Sequence, residues 1–446
     1  MKSKTSEAIA EHSKSNSSEA GQRNVLFIVY YFPPMGSSGV QRPLKFVKYL
    51  REFGWNPIII APEPGAYHTF DKSLQQELDQ MNIKIHRVGA KTPFHLLGKN
   101  ARQINYIPDR VAGLIRKFLS FFYLPDNKTG WIKPAIRKAE QVMADNEIDV
   151  IFSTAPPYSN HLITAELKKT TGKPVVMDFR DDWLECPFIN YPTKFHKAKM
   201  AKMERECVGT ADAVIANNTA TMRSIESRCA SANTGFHLLK HGFDPEDFAS
   251  THTGIKKKKL SLLYSGIFYG EQAPDFFLKA VSELLEEEHI TRNEIEIIFQ
   301  GGLDNRVRNH IRSLKLTSIS TDYGFLPHKQ AIKNLKSADV LWMVVGYTKN
   351  ANLTTPGKLF EYMATRKPIL GLVPEGGSKE DLLAYKASYI CDPYNLDDIK
   401  ITLLEVVEAW RNKTFPAPDE KFIEKHDRRQ ITGELAGIMN QLIKKQ

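Results

Sequence analysis

The sequence predicts an α/β protein built from two Rossmann-like parallel-sheet domains facing each other across a cleft. Three observations predict it. The length of 446 residues suits two or three domains with large cores. A rhythm of strand then helix, with short connections, runs through the chain and restarts near its middle. Between the two runs lies HGFDPEDFASTHTGIKKKK, which is polar, turn-prone and charged.

Residues 1–22 are rich in Ser, Lys and Glu, hold no apolar stretch that could act as a signal peptide, and read as a disordered lead-in. The first domain is expected over 23–240. NVLFIVYYF is a near-continuous apolar run, as a strand buried on both faces requires. A Pro/Gly/Ser turn follows, then an amphipathic segment carrying Leu44, Val47 and Leu50, which Gly54 closes before the strand NPIIIAP. The unit repeats in EIDVIFSTAPP, a helix over 160–169 and KPVVMDFRDDW, and again in the strand ADAVIANN. Residues 241–256 read as a hinge. The second domain, 257–408, runs from LSLLYSG through EIEIIFQGG, STDYGFLPHKQAIKNLKSADVLWMVVG and KLFEYMATRKPILGLVP to ASYICDPYN. The segment 409–446 reads as helical and as packing back across the domains.

Composition excludes some functions. No run approaches the ~18 apolar residues of a membrane span. The four cysteines lack metal-ligand spacing, which suits a reduced, cytoplasmic compartment. The net charge of +10 suits phosphate-bearing ligands or an anionic membrane surface. No nucleic-acid module is visible, so nucleic acid is not an expected partner.

Three segments could carry chemistry. The first is the turn from Pro33 to Gly39, whose small residues let backbone amides approach a phosphate or a sugar. It lacks the three-glycine dinucleotide spacing, which disfavours an NAD enzyme, and a plain structural turn remains the alternative. The second is VVMDFRDDW, which places Asp178, Arg180, Asp181 and Asp182 at a strand exit. Charges this dense are costly unless they pair or bind something. A helix cap with an Arg–Asp pair and a magnesium site are the alternatives, although nothing supplies further oxygen ligands. His161, opening a helix after STAPPYSN, is a candidate on the same side, set against an ordinary structural histidine. The third is TTPGKLFEYMATRKPIL. Its helix start presents free N–H groups suited to a diphosphate, Lys358 adds charge in the first turn, and Glu361 stands where a carboxylate accepts from ribose hydroxyls. An ordinary capped helix is the alternative.

Taken in order, YYFPP–GSSG, DFRDDW, ADAVIANN, HGFDPEDF, LLYSG, YGFLPH, SADVLW and PGKLFEYMATRKPIL resemble the family 4 glycosyltransferases, of GT-B architecture and usually retaining. Bacterial surface-polysaccharide enzymes are the nearest subgroup, and the resemblance runs from Asn24 to the last helix. It implies transfer of a sugar from a nucleotide-diphosphate sugar to a glycan or lipid-linked acceptor, without metal or other cofactor. Gly36 and Gly39 would line the acceptor side, with His161 kept there as a candidate. Gly266 would lie near the donor phosphates, and Phe325 and Leu326 would hold the base. Thr355, Gly357 and Lys358 would hold the diphosphate, and Glu361 the ribose.

Three departures from the family accompany the resemblance. Leu353 stands where the first of two paired glutamates is common. GIFYGEQAPDF lacks the Arg and Lys that often follow the second-half glycine, so Lys358 carries more of the diphosphate charge. Arg180 stands where a histidine often does, which passes the sugar contact to Arg180 or Asp181. The expected catalytic residues are therefore Arg180, Asp181 and Lys358. Two rival readings stay open, an epimerase or hydrolase on the same scaffold and a non-catalytic binder of sugar nucleotide. Finally, residues 92–138 mix Phe, Leu, Trp and Tyr with Arg and Lys. They suit peripheral contact with an anionic leaflet, and a core-packing helix with a basic outer face is the alternative.

Overall fold

The computed structural model describes residues 23–36, 38–67, 70–90, 102–103, 119–186, 189, 191–229, 234–249, 258–268, 272–347, 350–353 and 355–444. The lead-in 1–22, much of the stretch 92–138 and residues 250–256 of the hinge lie outside them.

The first sheet uses β1 (Arg23–Ile28), β2 (Trp55–Pro62), β4 (Lys84–Val88), β6 (Val150–Ala155), β7 (Val175–Phe179), β8 (Ala213–Ala216) and β9 (Gly235–Leu238), while β3 (Ala66–Tyr67) and β5 (Arg102–Gln103) pair separately. Its order is β4-β2-β1-β6-β7-β8-β9, parallel throughout. Successive side chains leave a strand on opposite faces. Accordingly Val25 and Phe27 join one core and Leu26 and Ile28 the other, which is why this strand is apolar at every central position.

The second sheet uses β10 (Leu260–Ser265), β11 (Ile295–Gln300), β12 (Ser320–Asp322), β13 (Val340–Val344), β14 (Ile369–Leu372) and β15 (Ser388–Cys391), in the order β12-β11-β10-β13-β14-β15 and again parallel. Leu262 and Tyr264 face one core and Leu263 the other. Both sheets are doubly wound, so strand order reverses beside β1 and β10, and the carboxyl ends of the strands there form the ligand crevice.

The helix Leu396–Asn412 runs through residue 408, the expected domain edge. Leu403, Val406, Val407 and Ala409 form one buried stripe there, so packing continues past that point. The helix Arg428–Lys444 then returns to the first sheet, where Ile431, Leu435, Ala436 and Met439 complete the core around Val25 and Phe27. The hinge is tied to this return. Phe243 N donates to His426 O at 3.0 Å, and Arg428 N to Phe243 O at 2.9 Å. A Cβ on Gly242 would stand 2.2 Å from the His426 carbonyl oxygen, so the approach requires glycine. Asp244 accepts from Lys45 at 2.6 Å, Lys48 at 2.7 Å and the Tyr49 hydroxyl at 2.5 Å, which anchors the hinge to the helix Ser38–Tyr49. Among the described residues no helix is long and apolar enough to cross a membrane.

Candidate active site

On the second domain, β10 leaves its sheet at Gly266 (φ 130°), and Gly301 (φ 119°) lies against it at the end of β11. A Cβ at Gly301 would meet the Gly266 carbonyl oxygen at 2.5 Å. Lys358 begins the helix Lys358–Ala364, and its Nζ sits 3.8 Å from the Tyr264 ring centroid. A side chain at Gly266 would place its Cβ 3.3 Å from that Nζ, so the two residues share one spot. No carboxylate pairs with Lys358 among the described residues, and burial pushes its ammonium down to about 7. The aromatic face returns ~1 kcal/mol, less than the desolvation of an ammonium costs. Lys358 is thus a cation at the strand ends of a doubly wound sheet whose desolvation cost an anion would offset.

The helix itself has seven residues, so its dipole is small and the positive field rests on Lys358 more than on the helix start that the sequence favoured. Thr355 is buried with its Oγ1 unpartnered, and Gly357 takes the N-cap position. One turn on, Glu361 Oε1 accepts from His328 Nε2 at 3.2 Å, and His328 Nδ1 stands 3.8 Å from Asp247 Oδ2. Burial pushes the Glu361 carboxyl up, yet His328, Arg428 and Lys45 bring it below its ordinary value. Burial lowers His328, and Glu361 and Asp247 more than reverse that. His328 follows the turn that carries Phe325 and Leu326. Gly324 O in that turn accepts from Gly301 N at 2.7 Å, and Phe325 is exposed. Gly301 thus links the spot shared by Gly266 and Lys358 to the turn that carries Phe325 and Leu326, and His328 links that turn to Glu361, and together they make the candidate rim. His328 was missed by the sequence analysis, and its place at a helix start directly after that turn was the available signal.

The first domain treats its candidates differently. Asp178 accepts from Arg42 at 2.8 Å and from Thr154 Oγ1 at 2.7 Å. Asp182 accepts from Arg228 at 2.9 Å and from the amides of Leu184 and Glu185. The magnesium alternative loses both carboxylates to these arginines. Arg180 turns its guanidinium onto the carbonyls of Gly39, Ala155 and Pro156, holding three chain segments together, so it positions the crevice wall. Gly39 is the point of close approach, since a Cβ there would lie 2.9 Å from Arg180 Nη1. Gly36 packs likewise against Asp71. Asp181 differs from its neighbours: its carboxylate makes no hydrogen bond among the described residues, and burial raises it against the pull of Arg180.

His161 does not face the acceptor side. It is fully buried between Phe179 and Trp183, bonded through Nδ1 to Ser153 Oγ at 2.8 Å, and burial holds its pKa at about 3. The first turn of its helix points into the sheet, which makes it the core histidine of the alternative reading. Across the cleft, Leu353 O accepts from Asn218 Nδ2 at 2.9 Å and Thr221 Oγ1 at 3.2 Å. The position lacking the first glutamate therefore bridges the domains by main chain. Asn350 to Glu185, His328 N to Asp71 and Lys240 to Asp381 add further polar contacts between the domains.

Residues 246–424 match the family model described as glycosyl transferases group 1. No curated protein matches the chain. Among solved structures, a sucrose-phosphate synthase from Thermosynechococcus elongatus is 12% identical, with a TM-score of 0.64 over 95% of this chain and 100% of that one. A UDP-forming α,α-trehalose-phosphate synthase from Burkholderia xenovorans, solved with glucose-6-phosphate, is 8% identical, with a TM-score of 0.62 over 94% and 100%. An Anabaena protein, HepE, solved with UDP, is 13% identical, with a TM-score of 0.57 over 95% and 98%. At such identities the likeness is one of fold. The chain has the two-domain, Rossmann-like GT-B architecture, and much of its second half matches the glycosyl transferases group 1 family.

Proposed function

We propose that the protein transfers a sugar from a nucleoside diphosphate sugar to an acceptor hydroxyl, with retention, in the assembly of a bacterial polysaccharide or glycoconjugate. The observation that carries this reading is Lys358, a partly buried ammonium with no carboxylate partner among the described residues, on the rim that also holds Gly266, Glu361 and the Phe325 turn. Lys358 neutralises the diphosphate and Glu361 accepts from the ribose, while Phe325 and Leu326 cover the base. As the bond between the anomeric carbon and the phosphate oxygen breaks, negative charge grows on the leaving diphosphate, where a fixed cation stabilises it most. The acceptor oxygen adds to the oxocarbenium-like carbon on the same face and its proton passes to the departing phosphate oxygen. Asp181, the free carboxylate of the facing domain, lies on the side from which the acceptor arrives.

Since one structural neighbour holds UDP and another is UDP-forming, UDP-sugars are the first donors to test. The acceptor proposed is a glycan or lipid-linked saccharide at the cytoplasmic face of the membrane, with transfer independent of metal. Purified protein should hydrolyse or transfer from its preferred donor in the presence of a chelator. Lys358→Ala should lower turnover about a hundredfold or more, as removing one donor to a developing oxyanion typically does. Unchanged transfer by a folded Lys358→Ala variant would end this assignment.

A further inference from the structure

The three most exposed phenylalanines among the described residues stand together, on a face that the donor rim does not use. Phe121, Phe122 and Phe195 are 51%, 65% and 72% exposed. The rings of Phe121 and Phe122 lie 5.3 Å apart, and the His196 ring stands 5.0 Å from that of Phe121 and 6.1 Å from that of Phe195. His196 also fixes the two segments to each other. Its Nε2 donates to the Phe121 carbonyl at 3.1 Å, and its Nδ1 meets Thr193 Oγ1 at 2.7 Å. Single exposed apolar side chains are ordinary, whereas adjoining ones mark an interaction surface.

The charge around the rings says what covers them. Phe195 lies in the first turn of the helix Lys194–Thr210, and its exposed face continues through Lys199 and Lys202, one and two turns on. Lys194 and Arg205 are exposed as well. Residues 194–203 hold four lysines and no acidic residue. Lys197 pairs with Glu185 at 2.8 Å, while Lys202 and Glu206 stand 3.7 Å apart in solvent, where an ion pair is weak. The face is therefore basic. Apolar rings set in a positive field match the boundary of an anionic leaflet, where rings pass the headgroups and lysines keep their ammoniums among them.

The face also has a fixed place beside the cleft. Helices of a parallel sheet begin at the carboxyl ends of its strands, and Lys194–Thr210 is the helix after β7. Asp126, just beyond Phe122, accepts from the Ser159 amide at 2.9 Å and the Ser159 hydroxyl at 2.7 Å, at the start of the helix after β6. Glu185, the partner of Lys197, accepts from Asn350 of the second domain at 3.1 Å. The phenylalanines thus border the mouth of the cleft on the first domain's side. We propose that this face docks the protein on an anionic bilayer leaflet, with Phe121, Phe122 and Phe195 entering the boundary between headgroups and acyl chains and Lys199 and Lys202 meeting the headgroup phosphates. The mouth of the cleft then lies at the leaflet, within reach of an acceptor carried on lipid. That last link rests on the sugar-transfer reading, and the docking itself does not.

Sedimentation of the full chain with vesicles tests this, using phosphatidylcholine alone and phosphatidylcholine mixed with phosphatidylglycerol. The wild type should bind the anionic vesicles at low salt, bind the neutral ones about tenfold more weakly or worse, and be released by high salt. Phe122→Ser/Phe195→Ser should bind about tenfold more weakly or worse with its thermal midpoint unchanged, since both side chains are exposed. Lys199→Glu/Lys202→Glu should weaken binding about fivefold or more, and it decides if the phenylalanine variant does not fold. No binding of the wild type to anionic vesicles, or binding undiminished by these variants, overturns the proposal. Self-association that the phenylalanine variant abolishes, without vesicle binding, assigns the face to a second copy and overturns it too. Vesicle binding by a chain that transfers no sugar supports the docking and ends only its link to an acceptor, whereas transfer without vesicle binding overturns the docking alone.

Discussion

Two segments of this chain crowd charge against a strand end, and they resolve it in opposite ways. At the end of β7 and in the turn after it, Asp178 and Asp182 are closed off by Arg42 and Arg228, and Arg180 clamps three carbonyls. Most of that charge holds the fold, and Asp181 alone is left over. At the start of Lys358–Ala364 the cation Lys358 has no carboxylate partner among the described residues, and an aromatic face compensates it in part. Density of charge therefore says little about chemistry, and failure to pair says much more. A stable fold tolerates an uncompensated ammonium only where something else gains from it.

The comparison breaks if removing a paired charge and removing an unpaired one have the same effect. The largest expected consequence is for Asp178→Ala, which strands the buried Arg42 and should cost about 3–5 kcal/mol of stability by urea denaturation. A loss within the range of ordinary surface substitutions would show that the pair is not what holds the turn. Next comes the pH dependence of donor binding. The free Lys358 ammonium titrates at about 7, and a bound diphosphate must raise it, so binding above that pH takes up a proton. Affinity should be flat below pH ~7 and fall by up to about tenfold per pH unit above it. Calorimetry at about pH 8 in two buffers of unlike ionisation heat reads the proton directly, and Lys358→Ala should abolish the uptake. A smaller effect belongs to Asp181→Asn. Turnover should fall about tenfold, the worth of one hydrogen bond to a charged group, with little change in stability. A variant that unfolds instead would place Asp181 with Asp178 and Asp182.

Both sheets were legible in the sequence because strands buried on two faces must be apolar throughout, as NVLFI and LSLLY are. The edge strands β4 and β9, KIHRV and GFHL, are half-covered and carry polar residues, so they left no comparable run. In the site, Gly266, Lys358 and Glu361 were legible because they lie in one local pattern of strand end or helix start. Which aspartate of DFRDDW is free was not, since the deciding partners sit 136 and 46 residues away in the chain. His161 failed for the same reason: a histidine in the first turn of a helix looks alike in sequence whether that turn faces the cleft or the sheet. Arg428 meets Gly242 across 186 residues, beyond the reach of any local pattern.

His328 lets the comparison be sharpened most finely, because it pairs with Glu361 on the candidate rim. Its pKa is raised by Glu361 and Asp247 against the effect of burial, while Glu361 is lowered by the same contact. A histidine raised in the folded state stabilises the fold fully below its unfolded pKa of ~6.5 and loses that contribution as pH rises through the folded value. The stability gap between wild type and His328→Ala should then be wider at pH ~5.5 than at pH ~9. Because His328 bonds Oε1, its loss frees the carboxylate to turn without removing the group proposed to accept from ribose. Donor KM should rise about fivefold, as for one weakened hydrogen bond, with kcat little changed. A pH-independent gap would mean that Glu361 and His328 do not share a charge. A fall in kcat to match the rise in KM would mean that His328 acts on the reacting bond, and that this charge pair belongs to the chemistry in the way Lys358 does.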